Sequence, residues 1–390
     1  MKIKKILFVT HSAMKGGGSE IDFEEMLKFF STKSNEYSVH ALFPKGQNPE
    51  HLYKFCSSYD FYRWGYLPSH PVYGLFKYIK YLLKIFEQLR TISSVIKKDS
   101  YDLYVLNVVV LLWPALYLGW KKKRVIVFVR ENIHPNFLKK IIYKLYNLLR
   151  INIVTNSFEA KDCFIICTGS KNVHVIYPGI TKSNPDSEKC YKTRIESGSF
   201  SADKNFTLVN IGDINPLKNQ RLLVEALIYL KERNLPLPSV VFIGGFDKQN
   251  RYCKTINTMI DKYDLRKQIS FLGKIDNSLV LNEIRKSDAL IITSITEGMP
   301  ISMIEAFSLA KPVLSTRVGG VPEVLINNFN GYILSQNTQD AAMKINSIMS
   351  ELENYSKMSS MAYSTYIKHF QYDRKNNEID SLFRRTLENS

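Results

Sequence analysis

Short apolar runs alternate with longer stretches in which apolar residues recur every third or fourth position, the pattern of buried strands alternating with amphipathic helices. Runs at 4–10, 37–44, 101–107, 124–130, 151–157 and 173–178 predict strands of a first set. Helices are predicted to about Lys33, over 73–98 and over 137–150. Residues 45–72, with Trp64, Pro68 and Pro71, keep no period and read as irregular and aromatic. A second set of strands is predicted at 206–212, 239–245, 269–273, 289–294, 312–317 and 331–335, each followed by a helix. Strands separated by helices pair in parallel, so the expected fold class is α/β, two Rossmann-like doubly wound domains facing across a cleft at their strand C-termini. The expected boundaries are a first domain over 1–180, a polar linker over 181–203 and a second domain over 204–354. Residues 355–390 read as charged helices that pack back on the first domain.

Composition narrows the class. A chain of 390 residues with 45% hydrophobic and 23% charged residues is of ordinary globular make-up and long enough for two cores. Five cysteines (Cys56, Cys163, Cys167, Cys190, Cys253) are scattered and odd in number, which fits a reduced cytoplasmic protein better than a disulfide or zinc scaffold. Lys2, Lys4 and Lys5 precede too short an apolar run for a secretory signal. The apolar run 103–119 is broken by Asn107 and Pro114, so it reads as a strand and a helix rather than a membrane span.

The net charge of +17 is unevenly placed: residues 1–180 hold 26 Lys and Arg against 13 Asp and Glu, the remainder 27 against 23. Such a basic first domain suggests an anionic partner, nucleic acid and membrane being the candidates on charge alone. The lysines and arginines of 73–98 and 137–150 lie among Phe, Tyr, Ile and Leu, as in helices that rest on anionic lipid; ordinary surface helices with snorkelling lysines are the plain alternative.

Candidate chemistry concentrates in 288–323. A β-rich run leads through Glu297-Gly298-Met299 to Pro300, expected as the first helical residue, and an apolar helix follows that contains Glu305. A strand feeding a helix N-terminus through a glycine loop offers free amides and a positive dipole end, an anion site suited to phosphate. Glu297 on the loop and Glu305 on the helix then line one pocket, unless Glu297 merely caps the helix and Glu305 is solvated. Gly212 ends the first strand of the second domain, and Lys218 stands just before the next helix, where its charge would add to a phosphate site. Gly244, ending the next strand, would let a flat ligand approach the backbone. At the start of the chain, 16–18 is a glycine turn between strand and helix, without the dinucleotide spacing.

Taken together, Glu297 and Glu305 in an E-x7-E motif, Gly212 to Asn219, Gly17 to Glu20 and the run 175–180 resemble the retaining nucleotide-sugar glycosyltransferases of family four, which have the GT-B fold. The resemblance covers nearly the whole chain. It implies that Glu305 accepts hydrogen bonds from the ribose hydroxyls, that Glu297 faces the donor sugar, and that the stretch Gly298, Met299, Pro300 and Ile301 holds the diphosphate or sugar hydroxyls through the backbone N–H groups it has. Lys218 would neutralise the leaving group, the base would lie on the turn at Gly273-Lys274-Ile275, and Gly17 and Gly18 would close on the phosphates. Arg130 or His134 would touch the donor sugar or the acceptor.

The implied activity is transfer of a hexose or N-acetylhexosamine from a nucleoside-diphosphate sugar, UDP being the expected nucleotide. The implied acceptor is lipid-linked or a polysaccharide, at the inner face of the membrane. No cofactor and no metal are expected, the nucleotide sugar being a co-substrate, and no nucleic acid partner. One departure stands out: the family usually has Arg beside the glycine of the Gly-x5-Lys motif, and this chain has Asp213. That leaves Lys218 with less help unless Arg317 or Arg130 reaches in. The rival readings are a basic membrane- or nucleic-acid-binding protein that has lost catalysis, and a GT-B sugar-nucleotide epimerase.

Overall fold

In the computed structural model, residues 2–13, 18–62, 75–109, 111–130, 144–181, 206–247 and 249–388 are described. Gly17, His134 and the expected linker 181–203, apart from Thr181, lie outside them. The chain divides into two units, one of 1–177 with 375–390 and one of 178–374.

The first unit is built on seven parallel strands: β1 (Lys4–Val9), β2 (Tyr37–Pro44), β3 (Ser58–Tyr62), β4 (Leu103–Leu106), β5 (Val125–Val129), β6 (Asn152–Thr155) and β7 (Val173–Val175). Their order is β3-β2-β1-β4-β5-β6-β7, the doubly wound order in which the chain reverses direction beside β1. Side chains alternate across the sheet, as the two-residue strand period requires. Ile6, Phe8, Val105 and Ile126 face one layer with Phe23, Met26 and Phe30 of the helix Gly18–Thr32. Leu7, Val9, Leu106 and Val127 face the other, with residues of the helices Leu75–Lys98, Leu112–Trp120 and Phe158–Thr168.

The span 45–72 corrects the expectation of an irregular region, because β3 lies within it as a sheet edge. Its Tyr59 and Phe61 pack on Tyr53 and Phe43 rather than into either main layer, so the segment shows no run of buried positions to reveal it.

The second unit has six parallel strands: β8 (Thr207–Ile211), β9 (Ser239–Ile243), β10 (Ile269–Gly273), β11 (Ala289–Ile292), β12 (Val313–Thr316) and β13 (Gly331–Leu334). The order β10-β9-β8-β11-β12-β13 again reverses after the first strand, between β8 and β11. The loops that leave those two strands therefore start side by side, the place where open α/β sheets hold ligands.

The C-terminal segment is divided. The helix Leu352–His369 stays with the second unit, where Tyr355 donates to the Asp288 carbonyl at 2.7 Å and Ser359 to that of Ala310 at 2.5 Å. Only from Lys375 does the chain return, so the expected packing of all of 355–390 on the first domain is too broad. Two observations fix the return. Phe383 stacks on Phe30 at 4.7 Å, and Asp380 takes hydrogen bonds from Tyr37 Oη and Lys33 Nζ, each 2.7 Å.

Candidate active site in the second unit

The loop after β8 is shaped by Gly212 and Asn215. Gly212 has φ 145°, a region open to glycine, and Asn215 Oδ1 accepts the amides of Leu217 at 2.9 Å and Lys218 at 3.0 Å, an Asx-type turn. The turn lays the Lys218 stem over Gly212, where a Cβ would stand 3.3 Å from Lys218 Cε. Asn219 then caps the helix Gln220–Glu232 in the left-handed region at φ 48°.

The loop after β11 is tied to this one strand by strand. Ile295 donates its amide to the Leu217 carbonyl at 2.8 Å, and Thr293 Oγ1 donates to that of Lys218 at 2.9 Å. Thr316 Oγ1 and Gln336 Nε2 both bond the Ser294 carbonyl, at 2.6 and 3.0 Å. Glu297 is thereby brought to Lys218: its Oε1 accepts from Lys218 Nζ and from Ser294 Oγ, each at 2.6 Å. Glu297 thus spends its carboxylate on Lys218 and Ser294 side chains rather than on amides of the helix that follows.

Pro300 stands one position earlier than expected. It is the N-cap of the helix Ile301–Ser308, with extended backbone (φ −63°, ψ 120°), because its ring fixes φ and leaves ψ free to turn into the helix. Its carbonyl takes the Met303 and Ile304 amides, while Ile301 and Ser302, the first helical residues, have no carbonyl a turn behind them. Their amides point out of the helix end close to the Glu297 loop. Gly319 and Gly320 brace that loop from behind. The Gly320 amide bonds the Gly298 carbonyl at 2.8 Å, and a Cβ on Gly319 would fall 2.1 Å from the same oxygen.

Glu305 is buried, 7% exposed, on the face of its helix turned to the start of the helix Asn277–Lys286. Burial pushes its carboxyl up to about 7, against a hydrogen bond with Asn277 that works the other way. Asn277 follows Gly273-Lys274-Ile275 with only Asp276 between, and Ile275 is half-buried. Glu305 and the turn expected to carry the base are thus neighbours through Asn277.

Gly244 and Asp213 both have roles toward the backbone. Gly244 is glycine for the backbone's sake: a Cβ there would lie 2.3 Å from the Gly212 carbonyl oxygen, so no flat ligand is needed to explain it. Asp213 is not a bare acid beside the phosphate site. Its Oδ1 takes the Gly245 amide at 2.6 Å and its Oδ2 pairs with Lys274 Nζ at 3.3 Å. Arg317, which might have assisted Lys218, is exposed.

In the first unit, Arg130 pairs with Asp22, and its Nη2 bonds Asn107 Oδ1 at 2.7 Å. Lys375 Nζ donates to the other Asp22 oxygen at 2.6 Å. Burial would raise the Asp22 carboxyl, but the two cations outweigh it and hold it well below the usual carboxylate range. Arg130 is therefore engaged in holding the loops at the β1–β4 reversal, where Asn107 Nδ2 also reaches Thr10 Oγ1 at 3.4 Å and the Ser19 carbonyl at 3.3 Å. Gly18 begins the neighbouring helix and is exposed. Sequence reading missed Asp22, Asn107, Lys375 and Asn277. None sits in a spaced motif, and Lys375 reaches Asp22 across 353 residues of chain. Among the described residues no three His, Cys, Asp or Glu side chains gather as a metal set.

Comparison with known proteins places this arrangement. Residues 192–365 match the model of the glycosyl transferases group 1 family. A computed superposition with the Anabaena protein Alr3699/HepE, solved with UDP and glucose, gives a TM-score of 0.74 at 19% identity, over 98% of this chain and 100% of that one. The chain has the GT-B fold. The uncharacterized glycosyltransferase MJ1069 of Methanocaldococcus jannaschii is 22% identical over 99% of both chains. A UDP-Gal:alpha-D-GlcNAc-diphosphoundecaprenol alpha-1,3-galactosyltransferase of Escherichia coli is 28% identical over 35% of this chain and 34% of its own length. Of the first curated relatives it matches, this chain spans about a third to a half. The stretch matched by the family model embraces Lys218, Glu297 and Glu305 together.

Proposed function

We propose that the chain is a retaining glycosyltransferase that moves a hexose or N-acetylhexosamine from a UDP-sugar to a lipid-linked or polysaccharide acceptor, in surface-glycan synthesis of the bacterial type. The observation that carries this reading is the 2.6 Å contact of Lys218 Nζ with Glu297 Oε1 beside the open amides of Ile301 and Ser302. A cation, a carboxylate and a helix N-terminus gathered at the sheet reversal suit a sugar diphosphate. The UDP complex of the Anabaena protein and the undecaprenol-linked acceptor named for the Escherichia coli relative support the donor and acceptor classes.

The chemistry follows from charge. The bond from the sugar's C1 to the diphosphate oxygen breaks as the acceptor hydroxyl bonds to C1 on the same face, and the hydroxyl proton leaves with the diphosphate. Lys218, drawn from Glu297 to the phosphate, neutralises the charge that develops on the leaving group, with the helix amides beside it. Glu297, released by Lys218, accepts the sugar's hydroxyls and aligns C1. Glu305 accepts the ribose hydroxyls. No metal or further cofactor is assigned a part.

The test is donor turnover by Lys218→Ala and Glu305→Ala proteins that melt like the parent. Loss in both supports the reading, and normal turnover in both ends it. Release of free sugar from a UDP-N-acetylhexosamine without acceptor would identify an epimerase instead. Absence of any melting shift with UDP or GDP would identify a binding protein without catalysis.

A further inference from the structure

The excess charge of the first unit has an address. Its sheet carries helices on two layers, and their charges differ sharply. The helix Gly18–Thr32 has four acidic residues (Glu20, Asp22, Glu24, Glu25) against Lys28, and the returning helix Tyr372–Glu388 is balanced, with four of each sign. On the opposite layer the helix Leu75–Lys98 has six Lys and Arg against Glu87 alone, and only the helix Phe158–Thr168, with Glu159 and Asp162 against Lys161, is acidic there. The helix Leu112–Trp120 runs straight into Lys121, Lys122, Lys123 and Arg124, with no acid in either stretch. Lys144 and Arg150 follow on the same side.

These segments are one layer. Tyr117 Oη donates to Ser93 Oγ at 3.0 Å, joining the first two helices. A Cβ on Gly119 would lie 3.0 Å from Leu149 Cβ, so the third segment abuts the second. Ile92, Leu116, Leu118 and Tyr146 turn inward to the sheet. Outward stand Leu83, Phe86, Trp120, Leu145 and Leu148, from 40% to 76% exposed. Single exposed apolar residues are ordinary; five large ones on the one basic layer of a unit are not. Trp120, 64% exposed, is flanked by Lys121, whose Nζ lies 4.3 Å from the ring centroid. An indole beside lysines suits a bilayer's interfacial zone, where the ring meets the acyl boundary and the ammonium groups meet lipid phosphates. No helix among the described residues is long and apolar enough to cross a membrane, so such contact would be along a surface.

We propose that this layer, centred on Trp120 and Lys121–Lys123, is the docking face for an anionic lipid bilayer, with Phe86 and Leu148 entering the headgroup region. The inference deepens the membrane-linked acceptor suggested above and rests on that reading for its purpose, though its observations belong to the first unit alone.

The test is co-sedimentation of the full chain with phosphatidylcholine vesicles, with and without about one phosphatidylglycerol in three lipids. The parent is expected to bind the anionic vesicles and not the neutral ones. Each lysine at an anionic surface is worth about fivefold in partition, so Lys121→Gln, Lys122→Gln and Lys123→Gln together should weaken binding roughly a hundredfold. Trp120→Ser should weaken it about tenfold. A control on the second unit, Lys254→Gln with Lys262→Gln and Lys267→Gln, should cost far less, all three being exposed there too. All variants should keep the parent's melting shift with UDP, which separates failure of docking from failure of the nucleotide site. Equal binding to neutral vesicles, no binding by the parent, or an equal loss in the control would overturn the proposal. So would duplex DNA bound as tightly as the vesicles at the same salt, since the face would then be a general polyanion surface.

Discussion

Lys218 and Glu305 carry opposite electrostatic problems, and each leads to a measurement. Lys218 is partly exposed and finds its counter-charge in Glu297 at 2.6 Å. Replacing Lys218 by Ala should lower donor turnover by about 10²–10³-fold, the usual cost of one preorganised group facing developing charge. Initial rates at saturating donor would check it, with an unchanged melting temperature as control. Glu305 is a carboxyl that burial has pushed up to about 7. On the proposed role, ribose hydroxyls donate to the ionised form, so binding should release a proton. Affinity for UDP is therefore expected to fall about tenfold for each pH unit below 7 and to level off above it, and Glu305→Gln should flatten that slope. Calorimetric titration between pH 5.5 and 8 (a range of about this width suffices) would settle the sign. For folding the sign is reversed. The raised carboxyl contributes stability at low pH, and this is lost as pH rises through 7, because the unfolded chain gives up its proton from about 4.5.

At the scale of elements, loops rather than helices fix the site. Gly319, at φ 51°, backs directly on the Glu297 and Gly298 carbonyls, and no side chain fits between. Gly319→Ala should cost about 1–3 kcal/mol and displace the Glu297 loop, lowering UDP affinity in a protein that still folds; thermal melting with and without UDP reads both effects. How much of this was legible beforehand varied with the kind of interaction. The strands of both sheets follow from their apolar runs, and Lys218, Glu297 and Glu305 stand out because spacing in one chain segment is visible in sequence. Asn277 beside Glu305 is not visible, since it depends on two helices meeting. Pro300 was placed one residue too far into its helix because proline suits both the cap and the first turn. Gly244 looks in sequence like room for a ligand, and in the fold it makes room for the Gly212 carbonyl. Edge strand β3 escapes because four of its five residues are exposed, Tyr59 and Phe61 packing at the rim on Tyr53 and Phe43.

Over the whole molecule, the two units are unlike in how the chain builds them. The second is contiguous, 178–374; the first needs 375–390 to be complete. Lys375 is 2% exposed and meets Asp22 at 2.6 Å, so Lys375→Ala would leave a buried carboxylate with Arg130 alone. A loss of about 3–5 kcal/mol is expected in the first unit. All three tryptophans, Trp64, Trp113 and Trp120, belong to that unit, so indole emission during urea unfolding reads it selectively. Asp22 also sets an acid limit. Its depressed carboxyl contributes stability above the ordinary carboxylate range that is lost as pH falls through and below it, and Asp22→Asn should blunt that loss.

The return of the chain at Lys375 has a consequence for birth on the ribosome. Until residues 375–388 emerge, Phe30 lacks its stacking ring and Asp22 one of its two counter-ions. The half made first must wait, open along one layer, while the half made second can close, and a nascent chain stalled before Lys375 would present that seam to chaperones.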